Sequence, residues 1–302
     1  MADNPAIRTE SLTKHYGKVR ALEDLDLEIA RGEVFGFLGP NGAGKTTTIR
    51  TMMDEIRPTK GTASILGMDT HKKSVEIRRH IGYLPGDLAL YPNLTGKDIL
   101  TYFANLRRGV DWSYVETLRA RLDVDLSQKV GNLSSGNRQK VGLIQAFMSK
   151  PKALIMDEPS SGLDPLIQRE LQKMMREAAD EGCTVFLSSH TLSEVQRVAD
   201  RVGIIRHGHL ITVEAVSTLR SKAMRRVELE LNATADPRVF EAVPGVSDVD
   251  VENHRVSMSF GGDMGALLKA ASEHYAVIDI SSQEADLEEI FLTYYRDEKV
   301  TA

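Results

Sequence analysis

The sequence holds a single cysteine, Cys183, and a single tryptophan, Trp112. One thiol excludes an intrachain disulfide and the clustered cysteines of a structural zinc site. Cys183 opens the apolar run Cys183 to Leu187 and reads as a buried small hydrophobe beside a strand, which fits a reducing compartment. No apolar run approaches the ~20 residues that a membrane-spanning helix needs, so a membrane role requires a partner that supplies the spans. Met1 to Glu10 lacks the apolar core of a signal peptide. Basic residues are not in excess: 38 Lys and Arg face 43 Asp and Glu, for a net charge of −5. That balance gives no general reason to expect nucleic acid as a partner. Short repeats and low-complexity tracts are missing too.

What is present is an ordinary globular composition, 41% hydrophobic and 27% charged over 302 residues. That length suits one large domain and a small one. Ile7 to Glu10 and Leu25 to Ala30 alternate as antiparallel strands do. Val34 to Leu38 is a continuous apolar run ending at Gly39-Pro40, which predicts a buried parallel strand entering a glycine-rich turn. A helix is expected over Lys45 to Ile56, a turn at Arg57 to Gly61 and a strand over Thr62 to Leu66. Residues from about 95 to 149 carry helical spacing, with Thr95 and Asp98 placed as an N-cap pair. Alternation then resumes: strand Ala153 to Met156, helix Leu166 to Ala179, strand Thr184 to Ser188, helix Leu192 to Ala199, and short strands near Gly203 to Arg206 and Leu210 to Val213. Strand–helix alternation around a helical insert implies an α/β core.

The tail has its own pattern. Strands are expected at Val227 to Leu231, Val246 to Val251, Val256 to Phe260 and Ala276 to Ile280. Helices are expected at Pro237 to Val243, Met264 to Ala271 and Ala285 to Tyr295. The order β-α-β-β-α-β is that of a ferredoxin-like unit with one extra helix.

Two motifs carry chemistry. Gly39-Pro40-Asn41-Gly42-Ala43-Gly44-Lys45-Thr46, followed by Thr47, fits G-x-x-x-x-G-K-[ST] between a predicted strand and helix. Its glycines let backbone N–H groups turn inward around phosphates, and the helix N-terminus adds partial positive charge. Lys45 is expected to reach the β- and γ-phosphates of ATP, and Thr46 to bind Mg²⁺. A chance match in a chain this long is on the order of one per cent from background residue frequencies. The second motif is Leu154-Ile155-Met156-Asp157-Glu158-Pro159, a strand ending in two carboxylates. Such a pair is costly to bury without a cation. Asp157 is placed to hold Mg²⁺, and Glu158 to polarise the attacking water.

With these in place the chain resembles the nucleotide-binding domains of ABC transporters. Leu133-Ser134-Ser135-Gly136-Asn137 looks like the ABC signature, Ser160-Ser161-Gly162-Leu163-Asp164 like the D-loop, His190 like the switch histidine and Tyr16 like the aromatic residue that stacks on adenine. The resemblance covers residues 5 to about 220 with every motif in order. It implies a P-loop NTPase fold: a mostly parallel sheet, an antiparallel N-terminal β subdomain and a helical subdomain over about residues 87–150. The nucleotide-binding domain is expected over residues 1–222 and a small α+β domain over 223–302. It further implies head-to-tail pairing with a second copy or a homologous domain, two ATP molecules between them. Ser134, Ser135 and Gly136 would then clamp the γ-phosphate bound by the other copy, Asp164 would cross the interface, and His190 would contact the γ-phosphate in its own site.

The tail, which carries Leu287-Glu288-Glu289-Ile290-Phe291-Leu292 near its end, resembles the C-terminal extension of bacterial drug- and antibiotic-exporter ATPases. The resemblance therefore implies the ATP-hydrolysing subunit of an exporter, peripheral on the cytoplasmic face and driving an integral membrane subunit. The apolar stretch Leu88 to Leu94 either packs inside the domain or, as the resemblance implies, forms the partner surface with the adjoining helices. A soluble ABC ATPase acting on nucleic acid or the ribosome is the alternative reading; against it stand a single set of ATP motifs, no long coiled coil and no cysteine clusters. A non-transporting regulatory ATPase is a third. The sequence departs from the family at Ser135 and Asn137, usually Gly and Gln, and at Gly86, usually Gln or Glu. Glycine offers no side chain for Mg²⁺ or water, and Asp87 is expected to substitute.

Overall fold

The computed structural model describes residues 4–107, 109–222 and 225–283. The chain divides into two compact units, Met1–Glu214 and Ala215–Ala302.

The first unit holds two sheets. Strands β1 (Ile7–Tyr16), β2 (Val19–Ile29), β4 (Lys60–Ile65) and β5 (Met68–Asp69) form an antiparallel sheet in the order β2-β1-β4-β5. Gly17, in the left-handed region at φ 60°, lets the chain reverse tightly between β1 and β2. Both strands run longer than their alternation predicts. Register shifts in β1 break its period of two, so the exposed half does not read as a strand.

The second sheet runs β10-β9-β3-β8-β7-β6, from β3 (Val34–Leu38), β6 (Ile81–Leu84), β7 (Ala153–Asp157), β8 (Thr184–Ser189), β9 (Arg201–Arg206) and β10 (His209–Ala215). The pairs β9–β3, β3–β8, β8–β7 and β7–β6 are parallel. Every residue of β3, β7 and β8 is buried, which is why these strands read as continuous apolar runs rather than alternating ones. In the core Phe186 stacks on Phe35 and tilts against Phe37.

Helix α1 (Lys45–Met52) leaves the loop after β3, and the short α2 (Ser74–Arg78) precedes β6. The helical insert consists of α3 (Gly96–Leu106), α4 (Trp112–Leu122) and α5 (Ser135–Phe147). Both α3 and α4 pack on α5. Thr95 and Asp98 form the reciprocal capping box that starts α3, and the bonds from Thr95 hold the Asp98 carboxyl below its ordinary pKa. Trp112 sits half-exposed at the first turn of α4. Helix α6 (Pro165–Asp180) follows β7, and α7 (Leu192–Val195) follows β8. Cys183 lies just before β8; burial pushes its thiol up to about 12.

The second unit contains α8 (Val216–Lys222), β11 (Arg225–Leu231), α9 (Pro237–Glu241), β12 (Val246–Glu252), β13 (Arg255–Phe260), α10 (Met264–His274) and β14 (Val277–Gln283). Its sheet runs β12-β13-β11-β14 with antiparallel neighbours, the strand order of a ferredoxin-like unit. Val227, Leu229 and Leu231 point into a core with Phe240, Met258 and Phe260, while Glu228 and Glu230 occupy the opposite face. The helix expected at Ala285 to Tyr295 lies outside the described residues.

Candidate functional site

The parallel sheet brings the ends of β3, β7 and β8 side by side, with Leu38 opposite Ser189 and Asp157 opposite Ser188. In open α/β sheets this carboxyl edge is where ligands bind. The Gly39–Thr46 loop leaves β3 here, and the Gly39 N–H donates to the Ser189 carbonyl at 3.2 Å. Gly44 at φ 113° forms the left-handed entry to α1, and a Cβ there would meet the Ala21 carbonyl at 2.7 Å. Only glycine combines that backbone with that approach.

Lys45 is 6% exposed. Its ammonium is satisfied by the carbonyls of Gly39 at 2.7 Å and Pro40 at 3.3 Å and by Glu158 Oε1 at 3.1 Å. Three donors thus meet three acceptors, which is what burial of an ammonium requires. Thr46 Oγ1 donates to Asp157 Oδ2 at 2.7 Å. Asp157 is 1% exposed, and its other oxygen accepts from Ser188 Oγ. The same serine oxygen accepts from the Glu158 N–H at 3.0 Å. Glu158 has φ 50°, costly for a residue with a side chain, and its carboxylate lies between Lys45 and His190. His190 Nδ1 is 2.8 Å from Glu158 Oε2. A carboxylate only accepts, so Nδ1 carries the proton of that bond.

One connected network therefore joins Lys45, Thr46, Asp157, Glu158 and His190. Ser188, which ties the two acidic residues together, escaped the sequence reading. Its signal was a hydroxyl at the end of an otherwise apolar buried strand, in register with Asp157. Tyr83 stands nearby on β6. Burial first, then the charge and hydrogen bond of Glu55, and then the charge of Asp157 push its hydroxyl pKa well above the ordinary value.

The other expected residues lie around this network. Ser134 caps α5, its Oγ accepting from the Asn137 N–H at 3.2 Å, so Ser135 and Gly136 form the first turn of that helix. A Cβ on Gly136 would collide with the Gly162 carbonyl, and Gln139 Nε2 donates to the Pro159 carbonyl at 3.2 Å. The signature turn is thereby packed on the segment Pro159 to Asp164. Asp164 itself caps α6, accepting from the Leu166 and Ile167 N–H groups. Tyr16 ends β1 half-exposed, with Lys14 Nζ 5.0 Å from its ring centre and Val19 opposite in register. Asp87 is exposed and forms no ion pair with a described residue.

Tyr83 also lines a groove of about 600 Å³, together with Glu55, Val75, Pro85, Leu88 and Leu106, among others. Val75 and Leu106 on its walls are among the most exposed large apolar side chains of the unit.

A glycine-rich loop opening a helix after β3, beside two carboxylates at the end of β7, a parallel strand separated from β3 only by β8, defines a P-loop nucleoside triphosphatase. Comparison narrows the class. Residues 22–161 match the ABC transporter family. The bacitracin transport ATP-binding protein BcrA of Bacillus licheniformis is 33% identical over 297 residues, covering 95% of this chain and 96% of that protein. The daunorubicin/doxorubicin resistance ATP-binding protein DrrA of Streptomyces peucetius is 32% identical over 304 residues, covering 95% and 91%. A solved ATP-binding subunit of an ABC transporter superposes with a TM-score of 0.65 at 29% identity, covering 72% of this chain and 92% of its own. A dimeric bacterial ABC transporter cassette gives 0.62 at 24% identity over 70% of this chain and 98% of its own, a likeness of fold. The chain belongs to the ABC transporter family, as an ATP-binding subunit and ATPase.

Proposed function

We propose that this chain powers an exporter: it hydrolyses ATP between two copies of itself, or itself and a homologous domain, on the cytoplasmic face of a membrane. The observation that carries the reading is the shared Glu158 carboxylate, held by Lys45 of the phosphate loop on one side and His190 on the other. Export rests on relatives named for bacitracin transport and for daunorubicin/doxorubicin resistance that match along nearly the whole chain. Among the described residues no helix is long and apolar enough to cross a membrane, so the membrane path belongs to a partner.

The roles follow from the chemistry. Backbone N–H groups of Gly39 to Thr47 hold the ATP phosphates, and Lys45 exchanges its loop carbonyls for the β- and γ-phosphates. Thr46 Oγ1 and Asp157 Oδ2 form an all-oxygen donor pair that suits Mg²⁺, which takes one or two protein oxygens and fills its octahedron with phosphate and water. Bound there, the ion would neutralise charge developing on the transferred phosphoryl group. Glu158 orients and polarises the attacking water, and His190 holds Glu158 by Nδ1 and presents Nε2 to the γ-phosphate. Tyr16 stacks on adenine. Ser134, with the N–H groups of Ser135 and Gly136 at the start of α5, clamps the γ-phosphate held by the second copy, and Asp164 crosses that interface. The groove beside Tyr83, with its exposed Val75 and Leu106, receives a short apolar segment of the membrane subunit.

The test is Glu158→Gln. The variant keeps ATP affinity within a few-fold, loses turnover by on the order of 100-fold or more, and accumulates as an ATP-bound dimer in size-exclusion chromatography. Wild-type turnover in that variant removes Glu158 from its role.

A further inference from the structure

Gly86 stands where the resemblance implies a Gln or Glu, and the structure places that position close to Asp157. A Cβ built on Gly86 would lie 2.9 Å from Asp157 Oδ2 and 3.2 Å from Asp157 Cγ. A carboxylate at the tip of a loose side chain would swing aside from such an approach. Asp157 has no such freedom: it is 1% exposed, Oδ2 accepts from Thr46 and Oδ1 from Ser188. Turning it away from position 86 breaks one of those bonds, and a methyl group against the oxygen strips it of polar surroundings. The space that a Cβ at position 86 would take is therefore space the carboxylate needs, although Gly86 itself is open to solvent. Asp87, to which the sequence reading assigned the missing contact, is exposed and has no ion pair with a described residue.

We propose that Gly86 is a positioning residue for the metal carboxylate: its bare backbone closes on Asp157 and fixes Oδ2 beside Thr46. Restoring a family-like side chain at position 86 then impairs the site instead of repairing it. The neighbours Pro85 and Leu88 line the groove proposed for the membrane subunit, so the same short segment borders the groove and passes close to Asp157. The inference rests on the reading of Asp157 as the Mg²⁺ carboxylate.

The test uses the purified full chain. Equilibrium binding of a fluorescent ATP analogue is measured in EDTA and across a Mg²⁺ titration, with Mn²⁺ binding followed by electron paramagnetic resonance as a readout independent of turnover. Gly86→Ala and Gly86→Gln are expected to raise the half-saturating Mg²⁺ and Mn²⁺ concentrations about tenfold, the scale of a lost charge-assisted hydrogen bond. Affinity in EDTA is expected to stay within about twofold, which separates a displaced carboxylate from a misfolded chain. Asp87→Ala is expected to match the wild type, and Asp157→Asn to lose the metal-dependent part of binding. Gly86→Ala with wild-type metal dependence beside an impaired Asp157→Asn overturns the proposal alone. An Asp157→Asn variant with wild-type metal dependence overturns the metal reading and the proposal together. Should Gly86→Gln not purify as a folded protein, Gly86→Ala decides, because a single methyl already makes the predicted clash.

Discussion

Glu158 Oε2 lies 2.8 Å from His190 Nδ1, while the other oxygen of the same carboxylate lies 3.1 Å from Lys45 Nζ. One acidic side chain is thus oriented from both sides, by a buried cation on the phosphate loop and by an exposed imidazole arriving after β8. Glu158 makes both contacts from a left-handed backbone at φ 50°. A residue held at that cost, between two groups that would face the same phosphate, is placed for chemistry and not for packing.

This sharing predicts how His190→Ala behaves. The variant keeps Lys45, Thr46 and the loop, so ATP affinity changes by no more than a few-fold. Glu158 loses one of the two donors that orient it, and turnover falls on the order of 100-fold. Steady-state ATPase assays paired with equilibrium nucleotide titration check both halves. A large loss of affinity with unchanged turnover would place His190 in binding alone.

A second prediction concerns the seam between the helical insert and the core. Arg121 on α4 bonds to Glu170 at 2.5 Å and to Glu177 at 2.6 and 3.1 Å, both on α6. Glu177 is more than half exposed, so solvent screens much of this attraction. Arg121→Ala is expected to cost about 1 kcal/mol, and the loss shrinks in high salt. The hydrogen bond from Arg121 is the main cause that holds the Glu177 carboxyl below its ordinary pKa. A depressed carboxylate adds stability that is full above its unfolded value and is lost as pH falls through its folded value. The gap between wild type and variant is therefore widest at neutral pH and closes through the acidic carboxylate range. Thermal melts over pH and salt read it directly.

The phosphate loop, the paired acids and the strand–helix order were legible because each is a local pattern with a strong physical reason. Val34–Leu38 is the continuous apolar run of a buried parallel strand, and the structure keeps those bounds. The helix from Lys45 stops at Met52 rather than Ile56, and Asp54 takes a left-handed conformation beyond it. The helix expected at Leu192 to Ala199 is regular only to Val195. Helix α2 and strand β5 are too short to establish a period. Non-local features were out of reach. Ser188 reveals itself only when β8 lies in register with β7, and the meaning of Gly86 appears only when the segment after β6 closes on Asp157. The ferredoxin-like strand order of the tail was readable in outline, since β11 alternates cleanly between core and outer face.

That tail offers the last prediction. Phe240 on α9 is fully buried in the core of the second unit and stacks on Tyr275, ring centres 6.3 Å apart. Replacing it with alanine removes a large ring from a small core, at about 3–5 kcal/mol. A unit of this size has little stability to spare. The hydrophobic cluster around Phe240 is built from residues of the second unit, so the damage is expected in that unit. Calorimetry of Phe240→Ala is expected to show the tail transition moved sharply down or lost, while the transition that ATP raises in the wild type is kept and is still raised by ATP. Loss of the nucleotide-responsive transition along with the tail would mean that the two units fold as one cooperative body.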